Sequence, residues 1–267
     1  YSNNFEIKEI SSLSSFRDNS FLFLETEIDI SSIKDKNIHI VSNIENNKNY
    51  YKSISIVKNV NLSYNLICNE LFYHEDHIDY KDDFNYINGS FISKYSNIDK
   101  SAVIGKNNII SRGVEIGKNS IIKNNVVIKN SIVGDNVIIC DNASIGTSGF
   151  GFDFNNRGSL NLNPQLGITI LDDNVHIGAS CTIDRGKIDY TYIGKNTMID
   201  NMVHIAHNVI IGNNGCIAAQ TGISGSVKIG ENVTIGGQVG FAGHLTIGKN
   251  VIVAAKSGVT KNIKDNS

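Results

Sequence analysis

The run "IGNNGCIAAQTGISGSVKIGENVTIGG", residues 211–237, decides the fold. An aliphatic residue returns at Ile211, Ile217, Ile223, Ile229 and Ile235, six positions apart, with glycine and asparagine between. An α-helix would repeat its apolar side every 3.6 residues and would be weakened by so many glycines. A β-sandwich would turn every 8 to 12 residues. A unit of six instead makes one short flat strand and one turn, with the aliphatic side chain pointing inward and three units closing a coil of 18 residues. Glycine and asparagine are expected at the corners because they tolerate the backbone angles of a sharp turn.

The register extends in both directions. It holds from Ile193 to Val259, twelve positions in a row, with Phe241 the only non-aliphatic member. Upstream it runs from Ile98 through Ile104, Ile110, Ile116, Ile122 and Ile128, slips by one to Val133, and resumes at Ile139 and Ile145. It returns at Leu171, Ile177 and Ile183. Twenty-four units make eight coils, a prism roughly 38 Å tall at the strand spacing of a sheet. Two departures from register stand out: a long excursion at 147–167 with two Phe-Gly pairs, an arginine and the sole proline, and a four-residue excess within 183–194.

Residues 1–95 lack the repeat. The strand-like runs "SFLFLETEI", "NIHIVSN" and "SISIVKNV", followed by a helical pattern at "LSYNLICNELFYHE", predict a small α/β domain ahead of a repeat domain spanning 96–262. The acidic stretch "HEDHIDYKDDFNYING" has the charge of an exposed linker, and His74, Glu75, Asp76 and His77 within it are read as solvated rather than as metal ligands.

Composition bounds the function classes. With 24 basic and 26 acidic side chains there is no field to recruit nucleic acid or an anionic membrane. No window reaches the ~18 apolar residues of a membrane span. Cys68, Cys140, Cys181 and Cys216 have neither zinc-site nor disulfide-framework spacing, so inert thiols in a reducing cytoplasm are expected, with no metal and no bound cofactor. The sequence opens at Tyr1 without methionine, so the expectation is that a leading segment has been removed.

Coils built of tight turns enclose no cavity, so a binding site must come from the inserted loops, bulky corner residues and neighbouring subunits. On the lattice Ile205 points inward and His207 follows at a corner, with Ile223 one coil above Ile205 and Phe241 one coil above that. His207, Gly225 and the pair Gly243-His244 therefore line one edge, with the imidazoles about two coil steps or ~10 Å apart. An imidazole is a general base near neutral pH, and an exposed glycine N–H stabilises an oxyanion, so the edge suits acyl transfer to an amine or hydroxyl.

The pieces "GFGFDFNNRG", "ASCTIDRG", "HIAHN", "ISGSVKIG" and "GFAGHLTIG" resemble the UDP-3-O-acylglucosamine N-acyltransferases of lipid A biosynthesis. The resemblance implies a mainly β fold, a left-handed parallel β-helix of hexapeptide repeats with a small N-terminal α/β domain that binds uridine. It implies a homotrimer with sites between adjacent prisms, and transfer of a 3-hydroxyacyl chain from acyl carrier protein, which brings its own phosphopantetheine, to the 2-amino group of a UDP-sugar. The family's base maps onto His207, its second histidine onto His244 and its oxyanion amide onto Gly225. The resemblance assigns substrate contacts to Phe21, Phe23, Phe150, Arg157, Asp184, Asp200, Asn201 and His204, with His204 as pocket wall. Where the family has Asn-Pro-Lys-Tyr after its uracil-stacking aromatics, this sequence has "ETEI" after Phe23-Leu24, and the alternation of Phe21 and Phe23 with Leu22 and Leu24 fits core packing as well as uracil contact. The family continues beyond the position of Ser267 into helices that dock the carrier protein. Two other readings carry the same repeat: an O-acyltransferase acting on UDP-N-acetylglucosamine, and a non-catalytic or zinc-dependent hexapeptide trimer.

Overall fold

The computed structural model describes residues 6–13, 15–26, 29, 31–33, 36–44, 52–71, 83–154 and 158–267. The chain divides into two compact units: Tyr1–His74 with Gly151–Pro164, and Glu75–Phe150 with Gln165–Ser267. The cluster His74 to His77 and Arg157 lie outside the described residues.

In the first unit, β1 (Glu9–Ser11), β2 (Ser20–Leu24), β3 (Ile38–Ser42) and β4 (Ser53–Ile56) form a four-stranded sheet in that order, parallel throughout. Alternation along β2 sends Leu22 and Leu24 into a buried cluster with Ile33, Ile38 and Ile40. Helix α1 (Val60–Leu71) starts where the Asn59 side chain accepts the Leu62 N–H at 2.8 Å, and buries Val60, Tyr64 and Cys68 at fourfold spacing. The excursion carries a hairpin in which Phe152–Phe154 pairs antiparallel with Leu160–Leu162. At its end, the Tyr64 hydroxyl donates to the Pro164 carbonyl at 3.0 Å and the Asn65 amide to Asn163 Oδ1 at 2.8 Å.

The second unit is a parallel β-helix. Its strands, most of two residues, stack into three parallel sheets of eight, eight and ten members. The ten-stranded sheet is extended by β5 (Phe84–Ile87) and β6 (Ser90–Ser93), with β6 parallel to Ile109–Ile110 and β5 closing back antiparallel, so the stack begins a strand before the first repeat legible in the sequence. The inward positions read from the register form one continuous core, from Ile110 through Ile205, Ile223 and Phe241 to Val259. Those at the entry, Ile98 and Ile104, are half-buried against it.

The corners are built only in part as expected. Asparagine supplies most of the left-handed backbone there, as expected, but glycine does so at Gly113 (φ 71°) and not at the other regular corners. Positions such as Asn214, Asn232, Asn250, Gln220, Ser226 and His244 take that conformation, with φ between 56° and 62°. The glycines that follow the inward aliphatic residue have ordinary φ and serve close approach: a Cβ on Gly212 would stand 2.8 Å from the Glu231 nitrogen, and one on Gly230 2.7 Å from the Gly248 carbonyl carbon, in the coil above. Along one corner the amides form a ladder, Asn174 to Asn196, Asn214, Asn232, Asn250 and Asn266, each Nδ2 donating to the next Oδ1 at 2.9 to 3.1 Å. Each rung satisfies a strained position's side chain as well as its backbone.

Strain and ladder separate by mutation. Asn232→Gly keeps the left-handed corner and loses two ladder bonds, costing about 1 kcal/mol, and Asn232→Ala adds the strain, costing about 1–2 kcal/mol more. Urea titration measures both. Equal losses would show that backbone strain does not contribute.

Candidate active site

One sheet of the β-helix stacks Thr182–Asp184, His204–Ile205, Gly222–Ile223 and Gly240–Phe241 in register. The corner that follows places His207, Gly225 and Gly243 at equivalent positions in successive coils. The Ser226 N–H donates to the His207 carbonyl at 2.9 Å and the His244 N–H to the Gly225 carbonyl at 3.0 Å. His244 stands one residue further, at φ 61°, above Ser226 and Asn208, which share its left-handed conformation. The two imidazoles thus leave the same corner from adjacent positions.

The His207 ring occupies a slot between two glycines. A Cβ on Gly225 would come within 2.7 Å of Cε1 and 2.8 Å of Nε2, and one on Gly149 within 2.8 Å of the His207 Cβ and 2.9 Å of Cδ2. The ring's tautomer follows from its neighbour. Asn208 Oδ1 accepts the Lys187 N–H at 2.9 Å, which identifies that atom as the amide oxygen, and His207 Nδ1 lies 3.1 Å from it. An amide oxygen only accepts, so Nδ1 is the donor, and in the neutral ring Nε2 is the nitrogen with the lone pair. Asn208 is itself fixed by its N–H donating to Thr191 Oγ1 at 2.9 Å. Among the described residues neither His207 Nε2 nor the Gly225 N–H has a hydrogen-bond partner. A lone pair and an amide donor therefore lie side by side, both unspent.

Beside them lies a buried carboxylate. Asp184 is 7% exposed, with Oδ2 3.9 Å from His204 Nε2, while His204 Nδ1 is 2.8 Å from Thr182 Oγ1. Burial pushes the Asp184 carboxyl above the usual carboxylate range; His204, His207 and the Thr147 hydroxyl draw it back. A bulge creates this position, since the ladder between Ser144–Thr147 and Thr182–Asp184 slips after Ile145 to pair Thr147 with Asp184. Gly146 makes the bulge at φ 76°, where a Cβ would strike the Lys129 carbonyl oxygen.

The remaining candidates take other roles. Asp200 is exposed and accepts its neighbour's N–H, that of Asn201, at 2.7 Å, while the His207 ring is tied to Asn208. Asn201 Oδ1 accepts the Ala179 N–H at 2.7 Å, a corner contact. Phe150 is 77% exposed, next to the glycine that touches His207. In the first unit Phe21 and Phe23 are half-buried on the face opposite the leucine core, with Phe21 edge-on to His39 at 5.5 Å and Phe23 edge-on to Tyr64 at 5.2 Å. His39 lies between Ser53 and Ser55 hydroxyls, at 2.7 and 3.0 Å, and its burial lowers its pKa. Gly149, Asn208, Lys187 and Thr191 were not singled out from the sequence. Asn208 alone had a signal there, as the residue directly after His207 in "HIAHN".

Comparison with known proteins follows this geometry. Residues 190–225 and 226–261 match the family described as Bacterial transferase hexapeptide (six repeats). Over 70 residues, 26% of this chain and 20% of the relative, the chain is 53% identical to UDP-3-O-acylglucosamine N-acyltransferase of Caulobacter vibrioides. The counterpart of Methylobacterium nodulans is 54% identical over the same shares. The match thus spans about a fifth of the length of these relatives. Among solved structures, LpxA of Acinetobacter baumannii superposes with a TM-score of 0.61 at 24% identity, covering 66% of this chain and 67% of that one, a likeness of fold. The UDP-N-acetylglucosamine acyltransferase of Francisella novicida gives 0.60 at 26% identity, covering 66% and 63%. The resemblance seen in the sequence stands over residues 190–261, which match the hexapeptide repeats of bacterial transferases.

Two outcomes follow from the site's packing. Gly225→Ala displaces the His207 ring, read as a change in its ring resonances, whereas Gly222→Ala, where a Cβ meets nothing within 4 Å, leaves them unchanged. Unmoved resonances in Gly225→Ala would refute the slot. A carboxyl whose folded pKa is raised contributes stability below the ordinary value of about 4 that is lost as pH rises through the folded value. Thermal melts of Asp184→Asn should therefore gain on the wild type as pH rises from about 4 to neutrality.

Proposed function

We propose that this hexapeptide-repeat chain, similar to the UDP-3-O-acylglucosamine N-acyltransferases, moves an acyl group from a thioester donor to the 2-amino group of a UDP-3-O-acylglucosamine. The observation that carries the proposal is the juxtaposition of His207 Nε2, the lone-pair nitrogen of the neutral ring, with the unpartnered Gly225 N–H at one corner. The amine attacks the thioester carbonyl as His207 takes its proton. The Gly225 N–H donates to the carbonyl oxygen as it gains charge, and collapse expels the thiolate, which takes the proton from His207 and leaves as the thiol. No covalent intermediate on the chain is required. His244, exposed at the same corner, contacts donor or sugar.

The donor in this proposal is acylated carrier protein, the assembly is a homotrimer with the site completed by a second copy, and the compartment is the cytoplasm. Uridine is held by the first unit, where Phe21 and Phe23 present half-buried rings away from the core. No helix among the described residues is long and apolar enough to cross a membrane. On the glycine strip, where Gly222, Gly240 and Gly258 face outward and a Cβ would meet nothing, there is room for an extended chain beside the site.

The solved-structure likenesses favour one second reading, O-acylation of UDP-N-acetylglucosamine. Incubation of the chain with each acceptor and a panel of acylated carrier proteins, scored by mass and by hydroxylamine lability, separates the two: a stable amide supports the N-acyltransferase, and a labile ester on the other acceptor replaces it. In that assay His207→Ala should reduce turnover at least ~100-fold with assembly unchanged. Near-normal turnover would remove His207 from the role of base.

A further inference from the structure

The mechanism above leaves a charge unaccounted for. When His207 takes a proton it becomes an imidazolium lodged between two glycine backbones, and its Nδ1–H already points to a neutral amide oxygen. Neither partner carries negative charge. An imidazolium so enclosed is poorly stabilised unless a carboxylate stands within a few ångströms.

One does. Asp184 is held almost entirely out of solvent, its carbonyl accepts the Thr169 hydroxyl at 3.2 Å, and the bulge at Gly146 pairs it with Thr147. Thr147 Oγ1 donates to Oδ1 at 3.5 Å, and Oδ2 faces His204 Nε2 at 3.9 Å. The titratable groups acting on this carboxylate are His204 and His207, both on the coil above. The adjacent Arg185 directs its Nε to the Gly167 carbonyl at 2.6 Å. Among the described ladders of the β-helix only this one shifts register, and it does so where the desolvated carboxylate stands. A buried, incompletely satisfied carboxylate costs stability.

We infer that Asp184 is a positioning residue, the fixed counter-charge on the coil below that stabilises His207 as imidazolium. This rests on the reading of His207 as general base. The raised carboxyl pKa is the stability cost of holding that charge in place, and protonation of His207 recovers part of it.

Histidine and carboxyl titration by NMR on the whole chain tests the inference without reference to turnover. In Asp184→Asn the His207 midpoint should fall by about 1 pH unit, while Glu115→Gln, on another sheet, leaves it in place. An unchanged midpoint overturns the inference. The wild type gives a variant-free check: the Asp184 carboxyl carbon should show a second inflection at the His207 midpoint, and a single inflection overturns it equally. In the amide assay, the acid limb of kcat/KM for Asp184→Asn should move with the His207 midpoint and kcat should fall about tenfold, a shift a purely structural role would not produce. Titrations that couple as described, in a chain that forms no amide, would leave the counter-charge standing and remove the acyltransferase reading instead.

Discussion

Coils stacked at backbone hydrogen-bond distance are the constraint on which the second unit depends. The strand N–H and C=O groups of each coil bond to the coils on either side, so no corner can drift far without breaking bonds above and below. This spacing requires an aliphatic side chain at each inward position to fill the interior. It also leaves no volume for a Cβ where the glycines that follow the inward aliphatic residue stand, and it turns the corners through the left-handed backbone region that asparagine accepts most readily among residues with side chains.

A site on such a lattice inherits its precision. The corner with the amide ladder is saturated: its side chains bond to one another and present nothing new to a ligand. At the corner of Asn208, Ser226 and His244 no such ladder runs among the described residues, and there the side chains are free to do something else. His207 is held on one side by the same backbone regularity, since the Ser226 N–H bonds to its carbonyl and the His244 N–H to that of Gly225. Organisation of this kind is achieved before any ligand binds, which is what general base and oxyanion chemistry demand of a protein.

The buried carboxylate shows how the lattice accommodates an exception. Regular coils have no place for Asp184. One bulge, one left-handed glycine and a hydroxyl contact make one, and the two histidines on the coil above draw its titration back toward the ordinary range. The same bulged region leads through Thr147 to Gly149, so the departure from register that began as an interruption ends as one wall of the His207 slot.

The period of six determined by itself that the second unit would be a stacked coil, where its inward side chains would point and which residues would share a corner, because these follow from strand and turn geometry applied to spacing alone. It could not show why each glycine is present. Close approach between coils is a property of the stack, and a glycine chosen for φ is indistinguishable in sequence from one chosen for the absence of a Cβ. Nor could spacing tie His207 to Asn208 and Lys187, or bury Asp184 against His204: Lys187 comes from the four-residue excess, and Asp184 is paired through a bulge that shifts register. In the first unit, alternation left Phe21 and Phe23 open between core and surface. Only the sheet, by sending Leu22 and Leu24 to the packed face, decided that the aromatic rings lie on the other.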